Sequence, residues 1–223
     1  MKVLFTSAII LACIVVMSCN KNSSGPNPGA GPNSLFPLTQ GSTWYYNDSV
    51  FNSDSTVNTA YTDSMTVTKT TFTDNYGTVY LEMNDINGWF TGSFISVDPS
   101  NDAIYEADSP YYETYTAFAI AQTDGQIIQQ NGGEYNANNL ACPLTSTLYG
   151  FVTPVTIGTF QGCLTNVLLT TDCNNVSLEA IYTYDLPGTG IVRIEDDEQD
   201  STGTNTSLYK AYSQTLTSAN IVK

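Results

Sequence analysis

The stretch Ser64-Met65-Thr66-Val67-Thr68-Lys69-Thr70-Thr71-Phe72 decides the fold class, because its side chains alternate in character with a period of two. Met65, Val67 and Lys69 fall on one face, and threonines fall on the other. Such alternation, in a run rich in β-branched residues, is typical of a half-buried strand. An amphipathic helix would instead repeat its apolar residues every three or four positions. The stretch therefore predicts a β-strand.

The same period recurs along the chain, between segments rich in turn residues. Further strands are predicted at 43–46, 78–83, 89–97, 103–106, 153–159, 160–171, 177–186, 190–195 and 206–216. Asn87-Gly88 is a hairpin signal, because both residues tolerate positive φ, and Pro154 indicates an edge-like strand. Residues 111–121 allow a strand or a short helix, 125–141 read as a long loop, and 195–205 as an acidic turn. About ten short strands predict an antiparallel all-β protein.

The N-terminus has the form of an export signal. Lys2 supplies a positive charge, and Val3–Met17 is an almost unbroken apolar run that is too short for a membrane-spanning helix. Val16-Met17-Ser18-Cys19 resembles the lipobox of bacterial lipoproteins, which implies that Cys19 is acylated. We expect a signal peptide at 1–18, a lipidated flexible tether at 19–33, rich in Gly, Pro, Asn and Ser, and a single all-β domain at 34–223.

Charge and composition exclude several function classes. The chain has 6 basic and 21 acidic residues, so loss of Lys2 with the signal leaves a net charge of −16. Such a balance disfavours nucleic acid and anionic lipid surfaces, so membrane attachment is expected through the acyl chains of Cys19. The chain contains no His, which excludes His-based general bases, catalytic triads and His-ligated metals. We expect no enzyme activity and no cofactor.

Three segments resemble a family of mostly uncharacterised Bacteroidota lipoproteins. They are Phe36–Tyr46 (FPLTQGSTWYY), Ile157–Leu164 (IGTFQGCL) and Gly188–Glu195 (GTGIVRIE), in the order that the family shows. The resemblance implies a strongly curved antiparallel sheet, an open half-barrel or flattened barrel like the carriers that sort lipoproteins to the outer membrane. Such a sheet has a concave apolar face able to hold acyl chains.

Two glycines and one tryptophan in these motifs have a structural interpretation. Gly41 and Gly190 would permit tight turns or close approach of the backbone. Trp44 would anchor the core at the first strand. Trp44, Tyr80, Trp89 and Phe90 are also candidates for direct ligand contact, and exposed aromatic residues could stack on sugars.

Cys142, Cys163 and Cys173 remain in the domain. An extended run from Cys163 to Cys173 covers roughly 33 Å, whereas bridged Cα atoms lie about 5.5 Å apart. Cys142 is therefore the expected partner of one of the other two. We favour Cys142–Cys173, because Cys173 lies in a predicted turn, but Cys142–Cys163 stays open.

Carboxylates are the remaining chemical groups of interest. Asp196, Asp197, Glu198 and Asp200 form an acidic run that could ligate Ca²⁺, although its spacing does not match an EF-hand and a solvated hairpin end is the simpler interpretation. Paired acids could also hydrolyse glycosides, but no spacing singles out a pair among Glu82, Glu106, Glu113, Glu134 and Glu179.

These observations predict a non-catalytic, membrane-anchored lipoprotein that binds or carries a hydrophobic ligand. In the Bacteroidota lipoproteins that this chain resembles, surface export is associated with acidic residues just after the lipid Cys. Asn20–Ser23 contains none, so the resemblance implies the periplasmic face of the outer membrane rather than the cell surface. The alternatives are a surface module that binds glycans or adheres, and a structural subunit of an envelope complex. The partners implied are the membrane and a lipid or glycan, with no nucleic acid; protein partners are not indicated.

Overall fold

The computed structural model describes residues 36–73, 79–85, 94–98, 103–107, 115–135, 142–199 and 207–222. Within these ranges every regular element is a β-strand. In chain order the strands are β1 (Thr43–Phe51), β2 (Val57–Thr73), β3 (Val79–Asp85), β4 (Phe94–Asp98), β5 (Ala103–Ala107), β6 (Tyr115–Ala119), β7 (Gln126–Tyr135), β8 (Pro143–Ile157), β9 (Phe160–Thr171), β10 (Ser177–Leu186), β11 (Gly190–Gln199) and β12 (Leu208–Asn220). No helix in the described part of the chain is long and apolar enough to cross a membrane.

The strands form one open sheet, in the order β6-β5-β4-β3-β2-β1-β12-β11-β10-β9-β8-β7. All its strand pairs are antiparallel. This confirms the predicted all-β antiparallel class, with twelve strands in the described residues rather than about ten. β1 pairs with β12, so the first and last strands lie side by side at the centre of the sheet.

The sheet must be strongly curved, because a short connection joins its two outermost strands. Laid flat, twelve strands would separate β6 from β7 by about 53 Å, at roughly 4.8 Å per strand. Residues 120–125 connect those two strands, and an extended chain of this length spans at most about 25 Å. The sheet therefore curls until its edges approach each other.

Side-chain hydrogen bonds connect β6, at one edge of the sheet, to β7 and β9 at and near the other edge. In the described residues no strand pairing joins the two edges. The Asn166 amide of β9 accepts a hydrogen bond from the N–H of Ala119 at 2.9 Å and donates one to its carbonyl at 3.0 Å. Gln129 accepts a bond from the N–H of Thr116 at 3.2 Å. An ideal Cβ on Gly150 would lie 2.7 Å from Ala121, so glycine allows this close approach. The Asn166 amide thus makes the two backbone hydrogen bonds with Ala119 of β6 that a neighbouring strand would otherwise make.

The segment before β1 packs across one end of the curved sheet. The rings of Phe36 and Trp44 stack with centroids 4.5 Å apart, and the Trp44 indole N–H donates to the carbonyl of Thr189 at 2.6 Å. Gly190 has φ +98°, and an ideal Cβ there would lie 2.5 Å from the Phe36 ring. The glycine therefore makes room for the ring, in agreement with the predicted close approach.

Three sequence-based assignments need correction. Residues 126–135, read as loop, form β7; its ladder to β8 bonds the backbone whatever the side chains, so Gln and Asn are tolerated at this sheet edge. β11 continues to Gln199 instead of turning after Glu195, because both neighbouring strands still pair with it there. β8 begins at Pro143 and is not an edge strand, but its pairing with β7 stops at Gly150, which leaves an edge at Pro154.

Candidate functional site

The concave face of the sheet is apolar at one end and acidic at the other. Residues directly opposite each other in neighbouring strands share a face, so the ladder registers identify the side chains of this face. Tyr46 opposes Leu216, and Asp48 opposes Gln214, which in turn opposes Ile194. The apolar part contains the following buried core residues: Trp44, Tyr46, Met65, Val67, Val192, Ile194 and Leu216.

At the end of the sheet where β8 and β10 finish and β9 and β11 begin, apolar side chains stay partly exposed. These side chains pack against the buried core but remain partly exposed to solvent. We call them the apolar rim: Val155, Ile157, Phe160, Leu186 and Ile221. Phe36 packs at the same end against Gly190, the first residue of β11. Phe36, the first described residue, therefore lies beside the apolar rim.

Toward the opposite end of the concave face, three carboxylates form what we call the carboxylate cluster: Glu179, Asp196 and Glu198. Each offers an oxygen atom that lies within 4.8 Å of the others'. Glu179 of β10 is directly opposite Glu198 of β11, and Asp196 lies two positions before Glu198 on the same face. Asp196 is buried, Glu179 is half-buried and Glu198 is exposed, so the cluster opens to solvent on one side.

Burial and mutual repulsion act on this cluster. Burial, reinforced by the charges of Glu179, Glu198 and Asp197, raises the pKa of Asp196 to about 7. Burial and the charge of Glu198 also raise the pKa of Glu179. Bringing carboxylates together on a concave face therefore costs free energy when all of them are ionised.

A second buried acid lies on the same face. Asp48 of β1 is only 1% exposed. Burial raises its pKa to about 6; the nearby charge of Asp63 acts in the same direction, while the polar side chains of Tyr212 and Gln214 oppose it. Burial also raises the pKa of Tyr212, which faces both Asp48 and Tyr61.

The basic side chains of β11 and β12 form their ion pairs on the face of the sheet opposite the carboxylate cluster. Glu195 forms ion pairs with Arg193 and with Lys210. Strand alternation places Glu195 on the face opposite Asp196. Burial and the charge of Glu195 raise the pKa of Tyr184, which bonds to that carboxylate, to about 12. Neither cation is paired with the carboxylate cluster.

The structure separates the predicted metal candidates. Asp196 and Glu198 lie together, but Asp197 points to the opposite face, where burial raises its pKa and the nearby charge of Lys210 partly opposes that shift. Asp200 lies outside the described residues. Glu179, considered only as a hydrolase candidate by type, completes the cluster. Counting back from the turn at 187–189 pairs Glu179 with Asp197. The register shift between Tyr184 and Asp185 moves the pairing by one residue and places Glu179 opposite Glu198.

The aromatic ligand-contact candidates divide into two groups. Trp44 and Tyr80 are 0% and 3% exposed and belong to the buried core, and their contact with a ligand stays a prediction. Trp89 and Phe90 lie outside the described residues. Cys19, with the signal and tether, also lies outside them, so its acylation stays a prediction.

The structure joins Cys142 to Cys173 by a disulfide, with Cα atoms 5.1 Å apart, and leaves Cys163 as a buried free thiol. This is the pairing that the sequence favoured. The bridge ties the start of β8 to the turn after β9. Burial raises the pKa of the Cys163 thiol, which disfavours the reactive thiolate.

Comparison with known proteins gives two similar solved structures. One is an inferred lipoprotein from Parabacteroides distasonis ATCC 8503, at 14% identity and TM-score 0.41, with 84% of this chain and 99% of that chain covered. The other is an inferred exported protein with a YmcC-like fold from Bacteroides fragilis NCTC 9343, at 11% identity and TM-score 0.37, with 83% and 98% covered. No family model and no curated protein sequence matches this chain.

Proposed function

We propose that this protein is a lipid-anchored, non-catalytic envelope protein that holds acyl chains against the apolar rim of its curved sheet. The observation that carries the proposal is the rim itself, where partly exposed apolar side chains continue the buried core at one end. Apolar surface that is contiguous with a core and open to solvent is typical of a binding site for an apolar ligand.

The position of Phe36 and the length of the predicted tether support the same conclusion. Asn20–Asn33 has the composition of a flexible chain, and the span from Cys19 to Phe36 has a mean reach of about 23 Å. Because Phe36 lies beside the apolar rim, acylation 17 residues earlier, at Cys19, would hold the rim near the bilayer. The periplasmic leaflet of the outer membrane is our proposed location.

Substitution of Phe160 tests the acyl-chain proposal. The unacylated chain from residue 20 onward would be purified without detergent, examined by native mass spectrometry for bound lipid, and titrated with a fluorescent fatty acid. Phe160→Asn is expected to weaken binding of the probe by about tenfold, the effect of losing roughly half of a buried Phe side chain.

Val57→Asn is the matched control, because Val57 is 56% exposed and lies at the opposite end of the sheet. It is expected to leave the affinity unchanged. Absence of co-purified lipid, together with equal binding of the probe by both variants, would exclude the acyl-chain function.

A further inference from the structure

The carboxylate cluster is an arrangement that the polypeptide alone leaves electrostatically unbalanced. Glu179 and Glu198 are directly opposite each other across β10 and β11. Like charges at such positions destabilise a sheet. Asp196 adds a third carboxylate oxygen within 4.8 Å of the other two. A positive charge at this position would relieve that repulsion.

No basic side chain of the described residues supplies that charge. Arg193 and Lys210 pair with Glu195 on the other face, and Lys69 lies on β2. The remaining basic residues of the sequence are Lys2, Lys21 and Lys223, which belong to the two ends of the chain. Residues 200–206, which follow Gln199 in the sequence, contain no Lys or Arg.

A second observation concerns Asp196 itself. Its side chain is on the concave face with Glu198, and the residue is only 6% exposed. Its Oδ1 atom is buried and has no hydrogen-bond partner. A buried carboxylate oxygen without a donor costs free energy, because it has lost its hydrogen bonds to water and gained none in the protein. The fold therefore positions a carboxylate oxygen that could ligate a cation and that receives no hydrogen bond from the protein.

Hydroxyl groups continue this row of oxygens across the sheet. Glu179 is opposite Thr170, and Thr170 is opposite Ser146. Thr170 donates a hydrogen bond to Glu179 Oε2 at 3.4 Å, and the hydroxyls of Thr170 and Ser146 lie 3.3 Å apart. The disulfide at the same end of β8 and β9 restrains the strands that carry them.

We propose that Glu179, Asp196 and Glu198 form a Ca²⁺-binding site that joins β10 to β11. Ca²⁺ takes six to eight oxygen ligands at 2.3–2.6 Å and tolerates irregular geometry. Carboxylates that bind through one or two oxygens, together with water entering beside the exposed Glu198, can supply that number. Mg²⁺ demands a near-ideal octahedron and dehydrates reluctantly, so it suits this site less well.

Calorimetric titration and thermal unfolding of the full chain in a nonionic detergent test this proposal, with CaCl₂ as the probe and NaCl at matched ionic strength as the reference. Ca²⁺ is expected to bind with a Kd on the order of 10⁻⁴ M, within the range of extracellular sites, and to raise Tm. Asp196→Asn and Glu198→Gln are each expected to weaken binding at least tenfold. Because Glu198 is exposed, its variant tests the site even where the Asp196 variant fails to fold.

Asp197→Asn is the matched control, since it removes one charge from the same strand on the opposite face. It is expected to keep Ca²⁺ affinity within about twofold. With chelator present, Glu198→Gln should be at least as stable as the parent, because it relieves repulsion. A Tm rise that NaCl reproduces, or a Ca²⁺ affinity that Glu198→Gln leaves unchanged, would overturn the proposal. Neither result bears on the acyl-chain function, which involves the other end of the sheet.

Discussion

Asp48 provides a quantitative test of the energetics of the concave face. It is almost fully buried, and its pKa is raised from 3.8 to about 6, mainly by burial. A difference of this size between the folded and unfolded states corresponds to about 3 kcal/mol, at 1.36 kcal/mol per pKa unit. The ionised side chain therefore destabilises the folded protein at neutral pH.

The raised pKa fixes the sign of the pH dependence. Below about pH 4, Asp48 is protonated in both states and costs nothing. Between about pH 4 and pH 6 the unfolded chain loses the proton while the folded chain keeps it, so stability falls as pH rises. Above about pH 6 both states are ionised, and the cost stays near 3 kcal/mol.

Replacing Asp48 by Asn removes the charge and keeps the shape of the side chain. We expect Asp48→Asn to be more stable than the parent by up to about 3 kcal/mol at pH 7, with the difference shrinking toward zero at pH 4. Urea unfolding followed by tryptophan fluorescence, in chelator and at constant ionic strength, measures both values.

Asp54→Asn is the control of opposite sign. Asp54 is exposed and accepts hydrogen bonds from the backbone and hydroxyl of Thr56, which lower its pKa. Its stabilising effect is therefore lost as pH falls, and Asp54→Asn is expected to destabilise at neutral pH. If the difference in unfolding free energy between Asp48→Asn and the parent is the same at pH 4 and pH 7, burial is not the cause of the raised pKa of Asp48.

Two further predictions concern packing. Gly190→Ala should destabilise by about 2–4 kcal/mol, because it combines a left-handed backbone with a clash against the Phe36 ring; Gly158→Ala, with φ +58° and open space, should cost only about 1–2 kcal/mol in the same urea assay. Asn166→Ala should destabilise by about 2–5 kcal/mol by leaving the N–H and carbonyl of Ala119 without their partner. Hydrogen exchange at the Ala119 amide should accelerate in that variant, and unchanged exchange would contradict the role given to the Asn166 amide.

The strands that could be predicted from sequence are those whose side chains record their environment. Alternation in 64–72 reflects the burial of Met65 and Val67 between less buried threonines, so the pattern predicts β2. β7 was missed, because Gln and Asn at a sheet edge carry no such pattern. The continuation of β11 was missed for a related reason: Asp196 and Glu198 are acidic residues on a concave face, where the pattern leads one to expect apolar ones.

The candidate site was only half predictable. The acidic run predicts Asp196 and Glu198 as ligand candidates. It also reads as a turn, so the sequence does not indicate that strand alternation places Asp197 on the other face. Glu179 belongs to a different strand, and its distance from Glu198 depends on the hairpin register. The sequence placed Trp44 and Gly190 correctly in close packing, because their sizes leave few alternatives.

The sequence by itself determined the all-β class and the lack of histidine chemistry, and it predicted the export and lipidation signals. All of these depend on local pattern and residue type. Only the tertiary structure decided which faces meet. The six-residue link between β6 and β7 curls the sheet, the pairing of β1 with β12 closes its centre, and the register of β10 with β11 collects the three carboxylates. Such contacts join residues far apart in the chain, and their free energies depend on the summed packing of the whole sheet.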